Sequence, residues 1–360
     1  MDGALDEVYE RLRSTGPEFD GWLSNHGPMA ADALLRIDPS ADVHRWVDGY
    51  VGRLEQAPGE RWPVTGDDWH EALGDAGRLG DWLAFFDREL AGAPWPDVLA
   101  RWWPRLVPGS IASATHCLIR TGHAVRALRE VETAPRRAEL AAALGYWAAR
   151  WQPMPGSAPL SGAVPPVGIV PRSAIAPPVG AVPPVGGRPP GEALDGVPVL
   201  GAAGDLRARL DRLGLHPGWR PALRAAADVP VAEVPAALTR LVDAAVVRYG
   251  RWAPGSPVML VHAATAPRAA ALVLPALPPE LWPLTHQAAW TAAAAIAALY
   301  RPAAALPDPA RGGSAEEVVA AAVRSGDEHA LKFAEVALES ASRGVPTAAG
   351  AALRAAALIN

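Results

Sequence analysis

The chemistry with most promise in this 360-residue chain lies in Gly326-Asp327-Glu328-His329-Ala330-Leu331-Lys332-Phe333. His329 and Lys332 are three apart, and on a helix such residues share a face. Lys332 is the sole lysine, since every other basic side chain among the 33 is arginine. A desolvated lysine amine can lose its proton and become a nucleophile or a carbamate, which a guanidinium does not do. The plain alternative is a lone lysine with no special chemistry. Glu335 lies about one helical turn beyond Lys332, where it could hold a neighbouring imidazole or simply face solvent.

Nine histidines accompany the lysine: His26, His44, His70, His116, His123, His216, His262, His286 and His329. Neutral imidazoles suit iron, zinc, copper or nickel, and histidines from several helices can converge in a bundle core. Pro28 fits a first helical turn, which puts His26 at or just before a helix N-terminus. His116 and His123 share a face but stand about 10 Å apart along the axis, too far for both to bind one metal easily. His262 sits in the apolar run Val258-Met259-Leu260-Val261-His262-Ala263-Ala264 and needs a partner there. For each of these a satisfied core histidine is the competing role. His44 and His70 read as surface positions, His216 as part of a turn, and His286 stays open. The 14 tryptophans, Trp22, Trp147, Trp151 and Trp252 among them, serve either an aromatic pocket or the core.

Other chemistries find little support. No GxGxxG, P-loop or GxSxG is present, so a self-contained NAD(P)H or flavin enzyme and a serine hydrolase are poorly served. Cys117 reads as a mid-helix residue with no helix N-terminus to lower its pKa. As the single cysteine it allows no intramolecular disulfide and suits a reducing compartment. A net charge of −5 argues against nucleic acid or an acidic membrane surface as the main partner. The N-terminus shows no signal peptide, and the most apolar window, 269–300, is interrupted by prolines, Glu280 and His286. The expectation is a soluble cytoplasmic protein without a membrane span.

The elements that must position these residues are helices. Apolar residues recur with helical spacing throughout, and no period-2 run of β-branched residues stands out. Leu5, Val8, Tyr9 and Leu12 give the first helix its stripe. Further helices are expected at 29–37, 43–54, 67–73, 79–90, 95–106, 110–130 and 135–151. After a break they resume at 205–213, 219–226, 230–249, 257–271, 285–300, 315–325, 327–342 and 347–358. The break, 152–199, holds thirteen prolines and repeats a unit such as Val164-Pro165-Pro166-Val167-Gly168. Proline at this density excludes helix and central strand, so an irregular loop or linker is expected, with its valines packed on the surface. The chain reads as one all-α domain over 1–360, because candidate ligands lie on both sides of that loop.

Four short motifs occur in order: Asn25-His26-Gly27-Pro28-Met29-Ala30, His116-Cys117-Leu118-Ile119-Arg120-Thr121-Gly122-His123-Ala124, Gly145-Tyr146-Trp147-Ala148-Ala149-Arg150 and Asp327-Glu328-His329-Ala330-Leu331-Lys332. Together they resemble the questin oxidase-like family, helical proteins of polyketide pathways, over nearly the whole chain except the proline-rich stretch. The resemblance implies oxidative ring opening of an anthraquinone-type aromatic polyketide by a non-haem iron dioxygenase, an activity first described as Baeyer–Villiger-like. It further implies an Fe(II) site of four histidines and a carboxylated lysine, which falls here on His26, His116, His262, His329 and Lys332. His123 stands where the family more often has tyrosine, which makes it a second-sphere or substrate-side candidate, with Glu335 as a second such group. Small-molecule substrate and dioxygen are the implied partners, and the resemblance leaves the oligomeric state open. Two alternatives remain: an NADPH-dependent Baeyer–Villiger oxygenase without metal, and a non-enzymatic helical polyketide-binding protein.

Overall fold

The computed structural model describes residues 2–153, 188–201, 203–225, 229–308 and 312–359. The proline repeats at 154–187 lie outside the described residues. Helices dominate, as the spacing of apolar residues requires, and the sole sheet among the described residues is a two-residue hairpin, Glu18–Phe19 against Leu23–Ser24. The fold is all-α.

Two large apolar clusters make the core. One joins Leu5, Val8, Leu34 and Val47 to Leu241, Tyr249, Leu331 and Phe333, so residues from both flanks of the proline-rich stretch share it. The other is tryptophan-rich, with Trp82, Trp102, Trp103 and Trp147 fully buried, and it also takes in Ala266, Ala269 and Val273. Trp147 and Trp252 thus take the core role, whereas Trp22 is 72% exposed.

Four long-range packings bear on function. The helix Gly27–Ile37 packs on Glu328–Ser342, His116–Glu130 packs on both His262–Val273 and Ala134–Arg150, and Leu79–Gly92 packs on Ala134–Arg150. Gly122 is required at the first of these helix crossings on 116–130. A Cβ there would stand 2.6 Å from Ala269 Cβ and 2.7 Å from its Cα, so only glycine lets the 116–130 and 262–273 helices approach this closely.

Three expectations need correction. The span 110–130 is not one helix: Ser113, Ala114 and Thr115 have φ of 47°, 54° and 75°, and the regular helix starts at His116. Nor is 257–271 continuous, since Pro257–Leu260 ends at Val261 and a new helix begins at His262. Within 152–199, Pro190–Asp195 is helical. Its prolines sit at the start, where a missing N–H costs nothing, and the following Gly191-Glu192-Ala193-Leu194 is free of proline. Ala193, Leu194 and Val197 are buried in the core and not laid on the surface. The one stretch long and apolar enough to cross a membrane among the described residues, Pro257–Ala276, is 72% buried against other helices. It is a core helix pair.

Candidate metal centre

Each of the four candidate ligand histidines stands at the start of a helix. His26 is the N-cap residue of Gly27–Ile37, His116 and His262 open their helices, and His329 is the second residue of Glu328–Ser342. Local sequence explains these starts. The Asn25 Oδ1 accepts from Gly27 N–H at 2.9 Å while its Nδ2 donates to Gly16 C=O at 3.0 Å, and Pro28 follows in the first turn. The Asp327 Oδ1 accepts from His329 N–H at 2.7 Å and from Ala330 N–H at 3.3 Å, a side-chain N-cap. At His116 the turn is forced by three consecutive left-handed residues, each costing about 1–2 kcal/mol in a non-glycine residue. Strain of this kind persists only where the surroundings over-determine it.

The rings converge. His26 Nε2 lies 2.7 Å from His116 Nε2, and His116 Nε2 lies 2.9 Å from His262 Nε2. His329 closes the group, with ring centroids 4.6 Å from His26 and 5.5 Å from His262. One ring nitrogen from each of His26, His116 and His329 lies within 4.8 Å of the others.

The opposite ring nitrogens decide what these contacts mean. His116 Nδ1 is 2.5 Å from Ser113 C=O and His262 Nδ1 is 3.1 Å from Met259 C=O. His329 Nδ1 is 3.2 Å from Asp327 Oδ1, whereas His26 Nδ1 makes no hydrogen bond, with Glu328 Oε1 3.5 Å away. Carbonyls and carboxylates only accept, so in His116, His262 and His329 they hold the proton on Nδ1 and leave a lone pair on Nε2. His116 and His262 therefore turn two lone pairs toward each other at 2.9 Å, a repulsive contact unless a cation lies between them. Two nitrogens bound at right angles to one metal at about 2.1 Å stand about 3 Å apart, close to both observed spacings.

Burial and charge keep the rings neutral. Burial pushes the pKa of His26, His116 and His262 well below the ordinary imidazole value, and the positive charge of Lys332 adds to the shift. Burial lowers His329 as well, opposed by its hydrogen bond to Asp327. Four helix N-termini, each carrying about half a positive charge, act in the same direction.

Lys332 is 1% exposed, and its Nζ has no hydrogen-bond partner. Burial pushes its pKa down to about 8, against the opposing pull of Glu328 and Asp327. Its charge acts on all four histidines. A buried, unpartnered amine beside four clustered imidazoles, two of them with facing lone pairs, fits a metal-binding set better than a structural core, which would pair its polar groups.

The other two candidates sit elsewhere. His123 Nδ1 is 2.8 Å from Asp32 Oδ2, and Arg126 Nη2 reaches the same oxygen at 2.5 Å. Glu335 pairs with Arg126, not with a ligand imidazole, because Arg126 is the cation its side chain meets. The carboxylates beside the imidazoles are Asp327 and Glu328. Cys117 is also misplaced by the sequence reading. It is the second residue of its helix, yet burial still drives its thiol far above the usual range. His286 is buried apart from the cluster, and its pKa is lowered to about 4 by burial and by Arg240. His44 and His70 are surface positions, and His216 caps a turn by accepting from Gly218 N–H.

Sequence reasoning missed Asp32, Arg126 and Tyr146. Asp32 carried a readable signal, a carboxylate inside Met29-Ala30-Ala31-Asp32-Ala33-Leu34-Leu35 that must find a partner if buried. The fold and the site define an all-α protein with a buried four-histidine, one-lysine centre. No protein-family model and no curated protein matches the chain.

Proposed function

We propose that this protein is an iron-dependent oxygenase that cleaves a ring carbon–carbon bond of an anthraquinone-like aromatic polyketide, its metal held by His26, His116, His262, His329 and carboxylated Lys332. The observation that carries the reading is the close approach of the His116 and His262 Nε2 atoms, each ring holding an acceptor on its opposite nitrogen, inside a cluster of four imidazoles with a buried amine without a partner. Iron and the polyketide substrate come from the sequence resemblance. Bound iron supplies the dioxygen chemistry, which amino-acid side chains do not perform.

The chain's own residues do the rest. Burial leaves roughly a tenth of the Lys332 amine unprotonated at pH 7, given its pKa of about 8. That neutral fraction can attack CO2: one N–C bond forms, one proton leaves, and the neutral amine becomes an anionic oxygen donor. Asp327 and Glu328 oppose the new anion, while four helix N-termini and a bound cation favour it. Asp327, Ser113 C=O and Met259 C=O orient the rings and raise their basicity as donors.

The test is anaerobic reconstitution with Fe(II) and 13C-labelled bicarbonate, followed by elemental analysis and carbon NMR. About one iron per chain and a carbamate carbonyl signal are expected, with both lost in Lys332→Arg. Reconstituted protein that retains no iron would falsify the reading. Turnover that needs NADPH and survives chelation would transfer the case to a metal-free Baeyer–Villiger oxygenase.

A further inference from the structure

The motif Gly145-Tyr146-Trp147-Ala148-Ala149-Arg150 contains no candidate ligand, yet every polar side chain in it grips a segment that leads into one. The Tyr146 hydroxyl is 2.7 Å from Ser24 Oγ, two residues before His26. Ser113 supplies the carbonyl that holds His116 Nδ1 at 2.5 Å. Trp147 Nε1 donates to Gly109 C=O at 3.1 Å, just upstream of the left-handed run. Arg150 pairs at 2.5 Å with Glu18, in the hairpin that ends at Ser24. Gly145 lets the helix sit this deep, because a Cβ there would stand 3.0 Å from Leu83 Cα and Trp82 C=O.

Tyr146 is 1% exposed, so its hydroxyl must find its partner inside the protein, and Ser24 is that partner. Through Tyr146 on Ser24 and Trp147 on Gly109, one helix therefore ties together the two chain segments that carry His26 and His116, whose Nε2 atoms meet at 2.7 Å. The segments are 90 residues apart in sequence. Neither is held by regular backbone ladders at this point: the 113–115 turn is strained, and the 18–24 hairpin is two residues deep.

We infer that the 134–150 helix is the template on which the metal site is preassembled, and that Tyr146 is a positioning residue whose hydroxyl fixes the His26 segment on that template, against the His116 segment that Trp147 holds. The inference rests on the metal reading above. It requires that loss of the hydroxyl loosen the ligand geometry even where the fold survives, because the two segments would keep their helices and lose their common reference.

Co(II) is the probe, since its visible absorption reports coordination geometry and a chromophoric chelator gives its affinity by competition. Tyr146→Phe and Ser24→Ala are each expected to bind Co(II) 10- to 100-fold more weakly than the parent, with an altered visible spectrum. Their double variant is expected to be no weaker than Tyr146→Phe alone, because both remove the same contact. Melting of the metal-free forms separates this from general destabilisation, which would lower the melting temperature and leave the Co(II) spectrum intact. If the parent binds Co(II) and both single variants match its affinity and spectrum, the template role is overturned. A parent that binds no Co(II) sinks the metal reading itself, and this inference with it. Should Tyr146→Phe fail to fold, Ser24→Ala decides by the same two outcomes.

Discussion

On the proposed metal reading, Lys332 is the residue at which stability and function oppose each other. Its amine is buried without a partner, and its pKa falls from 10.5 to about 8. Between those values the unfolded chain binds more protons than the folded one, so stability rises with pH across that window. Below it the folded protein bears the whole cost of the buried charge, about 3 kcal/mol for a shift of this size. Lys332→Met keeps the length of the side chain and removes the charge. Denaturant titration in the presence of a chelator should show the variant more stable than the parent by about 2–3 kcal/mol at pH 7, while metal retention is lost. A metal-free variant less stable than its parent would mean that the amine has a partner in solution. Lys332 was legible in sequence because it is singular, and His26 because Pro28 marks a helix start. His262 was legible only through resemblance, since alanines around it say nothing about direction. Arg126 and Asp32 were not legible as a pair, because helical spacing cannot say which faces from distant helices will meet.

At the scale of elements, the sequence reading erred where helix starts matter most. Hydrophobic spacing runs through 110–130 and 257–271 without interruption, so both spans were expected as single helices. Each breaks immediately before a histidine, and the break turns that histidine toward the centre. Nothing between Ser110 and Thr115 announces a left-handed run, since glycine and asparagine, the residues that favour it, are absent there. The register of the hydrophobic pattern survives the break, and that is why spacing alone missed it. Ala114→Gly tests the conformation directly. In a right-handed helix this change costs roughly 0.5–1 kcal/mol through backbone entropy. At φ of 54° it relieves strain of about 1–2 kcal/mol, so the net effect should be a gain. Equilibrium denaturation that shows a loss would contradict a left-handed Ala114.

For the whole molecule, charge holds together what the apolar clusters leave adjustable. Asp32 on the 27–37 helix meets Arg126 and His123 on the 116–130 helix, and Arg126 reaches Glu335 on the 328–342 helix. Arg268 pairs with Glu339, linking the 262–273 helix to the same partner. All four histidine-bearing helices are thus cross-tied away from the site. Burial alone would raise the carboxyls of Asp32 and Glu335, but the Arg126 guanidinium overcomes it and holds both below the usual range. Arg126→Met strands the buried Glu335 carboxylate and leaves Asp32 with Arg36 and His123 alone, and it should cost about 3–5 kcal/mol by thermal or chemical unfolding.

The carboxylates and the imidazoles then respond to acid in different windows. Asp32 and Glu335 have folded pKa values below their unfolded ones, so their contribution stands above about pH 4 and is lost only at lower pH. The four histidines also have folded values below the unfolded 6.5, but for a base this means that the unfolded chain takes up protons first. Their contribution is complete above about pH 6.5 and declines as pH falls from there, by up to about 1.4 kcal/mol per pH unit for each ring. The metal-free protein should therefore begin to lose stability near pH 6, two units before a protein held by carboxylates alone. A cation bound to the Nε2 lone pairs competes with those protons, so metal should move the onset of unfolding to lower pH. Melting temperature followed from pH 8 to pH 4, with a chelator and with one equivalent of metal, measures both. Coincident curves would show that the histidines do not share a cation. A metal-free curve flat down to pH 4 would show that the rings are not the buried neutral group that the packing of the four helix starts requires.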